Sequence, residues 1–418
     1  LFDLTTQDKL FNEYITPGVT AEIKARSKLF DNIRKDWKQV EPGGRYARQK
    51  LLMAGSQATG ARSDASYPTA QETTPAEALI YIKRAQMFTM KFDGLALEAA
   101  ARGGTPMSPQ EFEQKGLFVQ LSDDMSRQLM LDGSGVICVA NGAGVTTATL
   151  TVDSSYFADA TKFLKANRVI DAYLATAQEI DGIAVSSVDS ATQVTLASTQ
   201  SWTDNANIYG DTTYTAAATA GVGEMMGLEG IIRNTDPPAP NATGGLQGLL
   251  VATYPEWKAV VNDNPSGTGG TDRDLTETLF FEVLHEMDPF ASEVDVILMT
   301  EAGWRKYFEL MKEYVTLPGA KSQWGGTSGL SFNFNGKDIP VVADKFVPDG
   351  YAYFVSSSEL VIHTTNPNII TWEKGTGAGG YLQKVSGYNQ YVVEGHIFAN
   401  LATGVRKAFG VLRDIDET

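Results

Sequence analysis

Apolar side chains recur every fourth residue at Leu117, Leu121, Met125 and Leu129, with Phe118 alongside, in the run SPQEFEQKGLFVQLSDDMSRQLMLDGSG over residues 108–135. That spacing lays them along one stripe of an α-helix, so the pattern predicts a helix of roughly 24 residues, ~36 Å long. Ser108 reads as its N-cap, Pro109 as its first residue and Glu111 as its third, which completes a capping box. Asp132-Gly133 supplies the stop, and Gly116 is the one weak point inside. A helix this long predicts a spine around which the other parts are arranged.

Before the spine, residues 46–53 and 79–92 read as strands, the second alternating Phe88, Met90 and Phe92 against Thr89 and Lys91. The connection AGSQATGARSDASYPTAQETTPAEA is rich in Gly, Ser, Thr and Ala and far longer than a hairpin turn. A two-stranded ribbon is marginal in water, so this one is expected to lie on a neighbouring molecule. Residues 1–42 read as an extended arm with helical pieces at 7–14 and 19–37, broken by Pro17-Gly18. Its Lys24, Arg26, Lys28, Arg34, Lys35 and Lys38 are interleaved with Glu22, Asp31 and Asp36, which favours a solvated or inter-subunit face over a nucleic-acid patch.

After the spine, residues 136–211 are dominated by Thr, Ser, Ala and Val. Short alternating runs at 146–152, 169–175, 182–188 and 193–198, with a turn at Asp189-Ser190-Ala191-Thr192, predict a small β-rich inserted module. From about residue 217 the pattern becomes α/β. Helices are expected at 272–287, capped by Thr271 or Asp272, and at 301–312, capped by Thr300. Strands are expected at 294–299, 339–342, 351–355 and 359–362, and the run 407–412 as a last strand. In the long strand near the end, Tyr391, Val393, Ile397, Ala399 and Leu401 share one face and Glu394, His396 and Asn400 the other.

Composition narrows the function. The 418 residues suffice for two or three domains with a real core. Fifty acidic against 34 basic side chains give a net charge of −16, which disfavours a nucleic-acid reader. One cysteine, Cys138, excludes an internal disulfide and suits a reducing cytoplasm. No apolar run approaches the ~18 residues of a membrane span, and no signal peptide is visible.

Catalytic, cofactor and metal motifs are not found. His285-Glu286 lacks a second histidine at metalloprotease spacing, and GTGAGG at 375–380 lacks the Lys-Ser/Thr of a phosphate loop. His396 and Glu394, two apart on a strand face, could form an acid/base pair but have no nucleophile beside them, so a structural or interface role is expected. His363 is expected at the surface, and Cys138 as a small buried hydrophobe.

The order of these parts resembles the major capsid proteins of tailed double-stranded DNA bacteriophages, an α+β fold shared with encapsulin shells and the herpesvirus capsid floor. The resemblance is carried by MKFDGLALEAAARG leading to the spine, VDVILMTEAGWRKYF, DIPVVADKFVPDGYAYFVSSSELVI and YVVEGHIFANLATGVRKAFGVL, and by their order. It implies an N-terminal arm at 1–42, an E-loop hairpin at 43–92, a P-domain spine helix at 93–135, a β-rich insertion domain at 136–215, an A-domain at 216–372 and a returning P-domain strand and C-terminal segment at 373–418.

The same resemblance implies a structural, non-enzymatic subunit that needs no cofactor. Copies would form hexamers and pentamers of an icosahedral head, assembled in the host bacterial cytoplasm, that encloses double-stranded DNA without sequence-specific binding. Scaffolding, portal and decoration proteins are its implied partners. Gln57, Arg62, Tyr67 and Gln71 of the E-loop would touch the neighbouring subunit, and Gly43, Gly44, Gly133 and Gly135 would be the hinges for quasi-equivalent packing. Some relatives join an E-loop lysine to a P-domain asparagine, for which Lys50 and Asn389 or Asn400 are the matching residue types. The alternative within the fold is an encapsulin-like compartment that encloses cargo protein.

Overall fold

The structure, a computed structural model, describes residues 29, 32–36, 38, 40, 46–54, 74–82, 85–94, 109–154, 156–211, 213, 224–238, 244–264, 272–311, 330–367, 369–374, 381 and 383–417. In chain order the first elements are β1 (Arg34–Asp36), β2 (Tyr46–Ala54), β3 (Thr74–Tyr81), β4 (Ala85–Asp93) and the spine helix α1 (Pro109–Met130). The insertion follows with β5 (Cys138–Ala140), β6 (Gly144–Asp153), β7 (Val169–Leu174), β8 (Ala177–Ser190), β9 (Gln193–Trp202) and β10 (Asn207–Gly210). Then come the single turn α2 (Leu228–Ile231), β11 (Val260–Asn262), α3 (Glu277–Glu286), β12 (Val296–Met299) and α4 (Glu301–Met311). The last strands are β13 (Ser331–Phe334), β14 (Lys337–Ala343), β15 (Ala352–Val355), β16 (Leu360–Thr364), β17 (Ile370–Trp372), β18 (Gln383–Lys384), β19 (Gln390–Thr403) and β20 (Gly410–Leu412).

Two open sheets, a closed barrel and a ribbon result. In the first sheet the 14-residue β19 is the common rail: β4 pairs along Gln390 to Phe398 and β16 along Ala399 to Thr403, while β17 and β18 also pair with it. Alternation makes this possible, because Val393, Ile397, Ala399 and Leu401 are buried while Glu394 stays exposed. The second sheet runs β11-β20-β15-β12-β14-β13. Its central strands β12 (VILM) and β15 (AYFV) are buried at every position, as continuous apolar runs require when both faces are covered. α3 covers one face with Phe280, whose ring lies 5.3–5.5 Å from Phe332, Tyr307 and Phe354.

The insertion is more regular than its sequence suggests. Its strands close in the order β10-β5-β6-β9-β8-β7, with Leu150, Val152, Ile170, Ile180, Val185, Val194 and Leu196 inside. The turn joining β8 to β9 is Ala191-Thr192, within the expected stretch.

Several elements depart from the sequence pattern. Arg34–Asp36, inside the expected 19–37 helix, is a strand paired parallel to β16, where ladder pairing overrides a weak helical preference. The expected 79–92 strand is two strands with different partners, β3 on β2 and β4 on β19. β3 also starts earlier, at Thr74, because Ala76 and Ala78 alternate inward and alanine gives a faint apolar signal. α3 begins only at Glu277, with Thr276 rather than Thr271 or Asp272 at its N-cap, since Arg273 is occupied in backbone hydrogen bonds with Asp414 and Asp416. The last strand shortens to Gly410–Leu412 because Arg406–Ala408 winds into a 3₁₀ turn.

Candidate functional site

The spine stripe is graded along its length. Leu117 and Phe118 are half-buried, whereas Leu121, Met125 and Leu129 are buried, and so are Ser122, Ser126, Arg127 and Gln128 around them. Enclosing polar residues costs free energy unless their bonds are made; Ser126 and Gln128 make theirs, whereas Arg127 Nε and Nη1 are buried without a hydrogen-bond partner among the described residues. The Ser126 hydroxyl donates to Ser122 O at 2.7 Å, and Gln128 Nε2 donates to Gln86 Oε1 of β4 at 2.7 Å. Arg127 is ion-paired with Glu224; burial pulls against its charge, but Glu224 and Asp124 hold its pKa above the ordinary arginine value.

Two adjacent helix carboxylates fasten the barrel. Asp123 accepts from Lys165 at 3.1 Å and from Lys345 at 3.4 Å, and Asp124 faces Arg168 at 3.4 Å. Phe163 packs edge-on against Phe157 and stacks at 6.3 Å on Phe346, with Arg127 5.7 Å above its ring. Sequence reasoning missed this clamp. Its signal was Asp123-Asp124 between two stripe residues, together with the insertion's only basic residues, Lys162, Lys165 and Arg168, confined to one short stretch.

The corner after the spine is pinned. Gly133 and Gly135 have φ of 73° and 85°, and a Cβ on Gly135 would sit 2.8 Å from Thr213 Cγ2, so glycine is required there. Asp132 Oδ1 accepts from the Ser134 amide at 2.9 Å and its hydroxyl at 2.7 Å, and Asp132 Oδ2 accepts from the Tyr156 hydroxyl at 2.9 Å. To act as hinges, these glycines would have to turn against this network.

Behind the corner lies a buried ionic joint. Glu229 of α2 accepts from Arg413 at 2.7 Å, Arg233 at 3.0 Å and the Tyr353 hydroxyl at 3.0 Å. Burial pushes the Glu229 carboxyl up, and Arg413 and Arg233 pull it back. Arg406, beside it, donates to the carbonyls of Ile231, Trp257 and Thr235, and burial pulls its pKa down to about 10. One short stretch of chain thereby ties the ends of the spine, the barrel and the second sheet together.

The ribbon has two unlike faces. Ala47, Leu51, Ala76, Ala78 and Ile80 are covered within the chain, and Ala47, Ile80 and Ile82 cluster with Ala402 of β19. This differs from the expectation that only a neighbour could cover the strands: the inner face rests on its own body. The outer face carries Arg48 and Glu77, paired at 3.4 Å, with Lys50 exposed and Leu52 68% exposed. Gln57, Arg62, Tyr67, Gln71, Gly43 and Gly44 lie outside the described residues.

His363 is buried rather than at the surface, because β16 (LVIHT) is enclosed along its whole length. His396 pairs with Glu373 at 2.8 Å, while Glu394 points to solvent. His285 is exposed beside Phe281 and Phe334. Burial pushes the Cys138 thiol up to about 12. Asn400 is engaged, accepting from the Met226 amide at 3.0 Å and donating to Tyr81 O at 2.9 Å. Residues 375–380 lie outside the described residues. Among the described residues no cluster of three side chains could hold a metal, and no helix is long and apolar enough to cross a membrane.

No protein-family model and no curated protein matches the sequence. Among solved structures, the cyanophage A-1(L) capsid asymmetric unit aligns with a TM-score of 0.52 at 14% identity, over 95% of this chain and 93% of that one. The holo-SrpI encapsulin complex from Synechococcus elongatus PCC 7942 aligns at 0.44 with 10% identity, over 94% and 89%, and Mycobacterium phage Bobi at 0.43 with 10% identity, over 93% and 90%. Over nearly the whole of both chains, this chain therefore shares the α+β fold of a phage capsid protein.

Proposed function

We propose that the chain is a structural shell subunit whose copies assemble into the hexamers and pentamers of an icosahedral phage head enclosing double-stranded DNA. The observation that carries this reading is the end-to-end match in fold to a cyanophage capsid subunit. The two-faced ribbon supports it: a strand pair held at its base by its own body, with Leu52 turned outward, is suited to reach another copy. A net charge of −16 also suits a wall along which packaged DNA must slide, since phosphate contacts need Lys and Arg. In this reading residues 43–92 serve as the E-loop, 136–215 as an insertion domain and 216–372 as the A-domain. Scaffolding, portal and decoration proteins would be its partners in the virion.

Electron microscopy of the purified protein tests the proposal. Hollow particles of uniform size that hold genome-length DNA when isolated from infected cells are expected, and a dispersed monomer at high concentration would overturn it. Uniform particles filled with protein and free of DNA would instead favour a cargo compartment. Deleting residues 55–75 should leave soluble capsomers or aggregates without regular shells.

A further inference from the structure

The loop over residues 244–250, GGLQGLL, is a finger folded back on itself. Leu246 and Leu249 form an antiparallel bridge, and the Trp257 indole N–H donates to Leu246 O at 3.3 Å. Gly244, Gly245, Gln247 and Gly248 all have left-handed φ, of 100°, 71°, 56° and 78°. Glycine adopts this region freely, whereas a glutamine there is strained. Gln247 carries a second cost: its side-chain amide is buried, and neither Nε2 nor Oε1 has a protein partner.

Both costs fall on the residue that touches the hairpin. The Leu79 N–H of β3 donates to Gln247 O at 2.8 Å. Leu79 stands opposite Arg48 in the ribbon, one position outward from the Ala47–Ile80 pair that sits in the cluster with Ala402. Among the described residues this is the outermost backbone hydrogen bond between ribbon and body. Inboard of it, Asn400 and that apolar cluster hold the base independently.

We propose that the 244–250 finger is a strained catch that sets how readily the β2–β3 hairpin leaves its own body. A strained contact is easily exchanged for another, which is how local strain serves a moving part. The proposal rests on the shell reading only for its use, that a freed hairpin reaches a neighbouring copy. The holding itself is a property of the unassembled chain.

Hydrogen exchange at the Leu79 amide of the full, unassembled chain measures the catch. In Gln247→Gly the left-handed φ becomes free and the buried amide disappears, so exchange should slow about tenfold. In Gln247→Pro, φ is fixed near ~−65° and the finger cannot present its carbonyl, so exchange should quicken about tenfold or more while the Leu150 and Val194 amides of the barrel stay as in wild type. If the proline variant does not fold, the glycine variant decides. Leu79 exchange in Gln247→Gly at or above the wild-type rate would overturn the catch. Slowed exchange with wild-type assembly by sedimentation supports the catch and counts against its use, that the freed hairpin reaches a neighbouring copy; slowed exchange with no assembly in either protein supports the catch and counts against the shell reading.

Discussion

The barrel and the ribbon are both antiparallel sheets, yet they stand at opposite ends of self-sufficiency. Each barrel strand has a neighbour on both sides, and the interior is filled by side chains the barrel itself supplies. The ribbon has two strands, an inner face of small residues leaning on β19, and an outer face with Leu52 in solvent. Closure removes the strand edges that would otherwise recruit other chains, and an open ribbon keeps them. One molecule therefore carries a sheet without free edges and a ribbon that keeps them.

The contrast can be broken at the spine. Met125→Asp places an unpaired charge where the side chain is 1% exposed, and should cost at least ~4 kcal/mol in urea denaturation. Unchanged stability would mean that the helix stripe is exposed rather than enclosed. Next in size is Glu229→Ala, which leaves Arg233 and Arg413 facing each other without their carboxylate. A loss of ~3–5 kcal/mol is expected in the second sheet, with the barrel's own transition unmoved. A parallel loss from the barrel would show that its closure depends on the joint.

A gentler cut sharpens the comparison. Lys165→Ala with Arg168→Ala removes the pairs to Asp123 and Asp124, which are partly exposed and contribute ~1–2 kcal/mol together. Limited proteolysis should then release an intact barrel, and uniform degradation would argue against a self-sufficient module. The smallest effect concerns the other open strand, β1, whose Asp36 stands opposite His363. Burial holds the His363 pKa below 6.5, with Asp36 raising it and Arg34 lowering it. The unfolded chain then takes up the proton more readily, so stability from this group is present above about pH 6.5 and is lost as pH falls through and below that value. His363→Gln should flatten the change in melting temperature between about pH 7 and 5.5; an unaltered slope would assign it to other groups.

Much of this was legible in the residues. The fourfold spacing of the spine stripe, the all-apolar run of β12 and the alternation along β19 are strong periodic signals, and each element stands where the pattern puts it. What escaped was contact between distant parts. Barrel closure depends on β10 meeting β5 and β7, which no local pattern records. The Asp123–Lys165 clamp looks like two ordinary surface charges until the fold joins them. His363 was misplaced because a strand enclosed at every position has no polar phase to mark its faces, and the ribbon's inner face was obscured because alanines line it.

The barrel's entrance and exit lie side by side: Val139 pairs with Asn207, and the Ile137 amide donates to Ile208 O at 2.8 Å. Cutting the chain at these two strands leaves a gap of about 5 Å, which a two-residue turn spans. The molecule thus has a socket at which one folded unit can be excised, or a foreign one grafted, without respacing the rest.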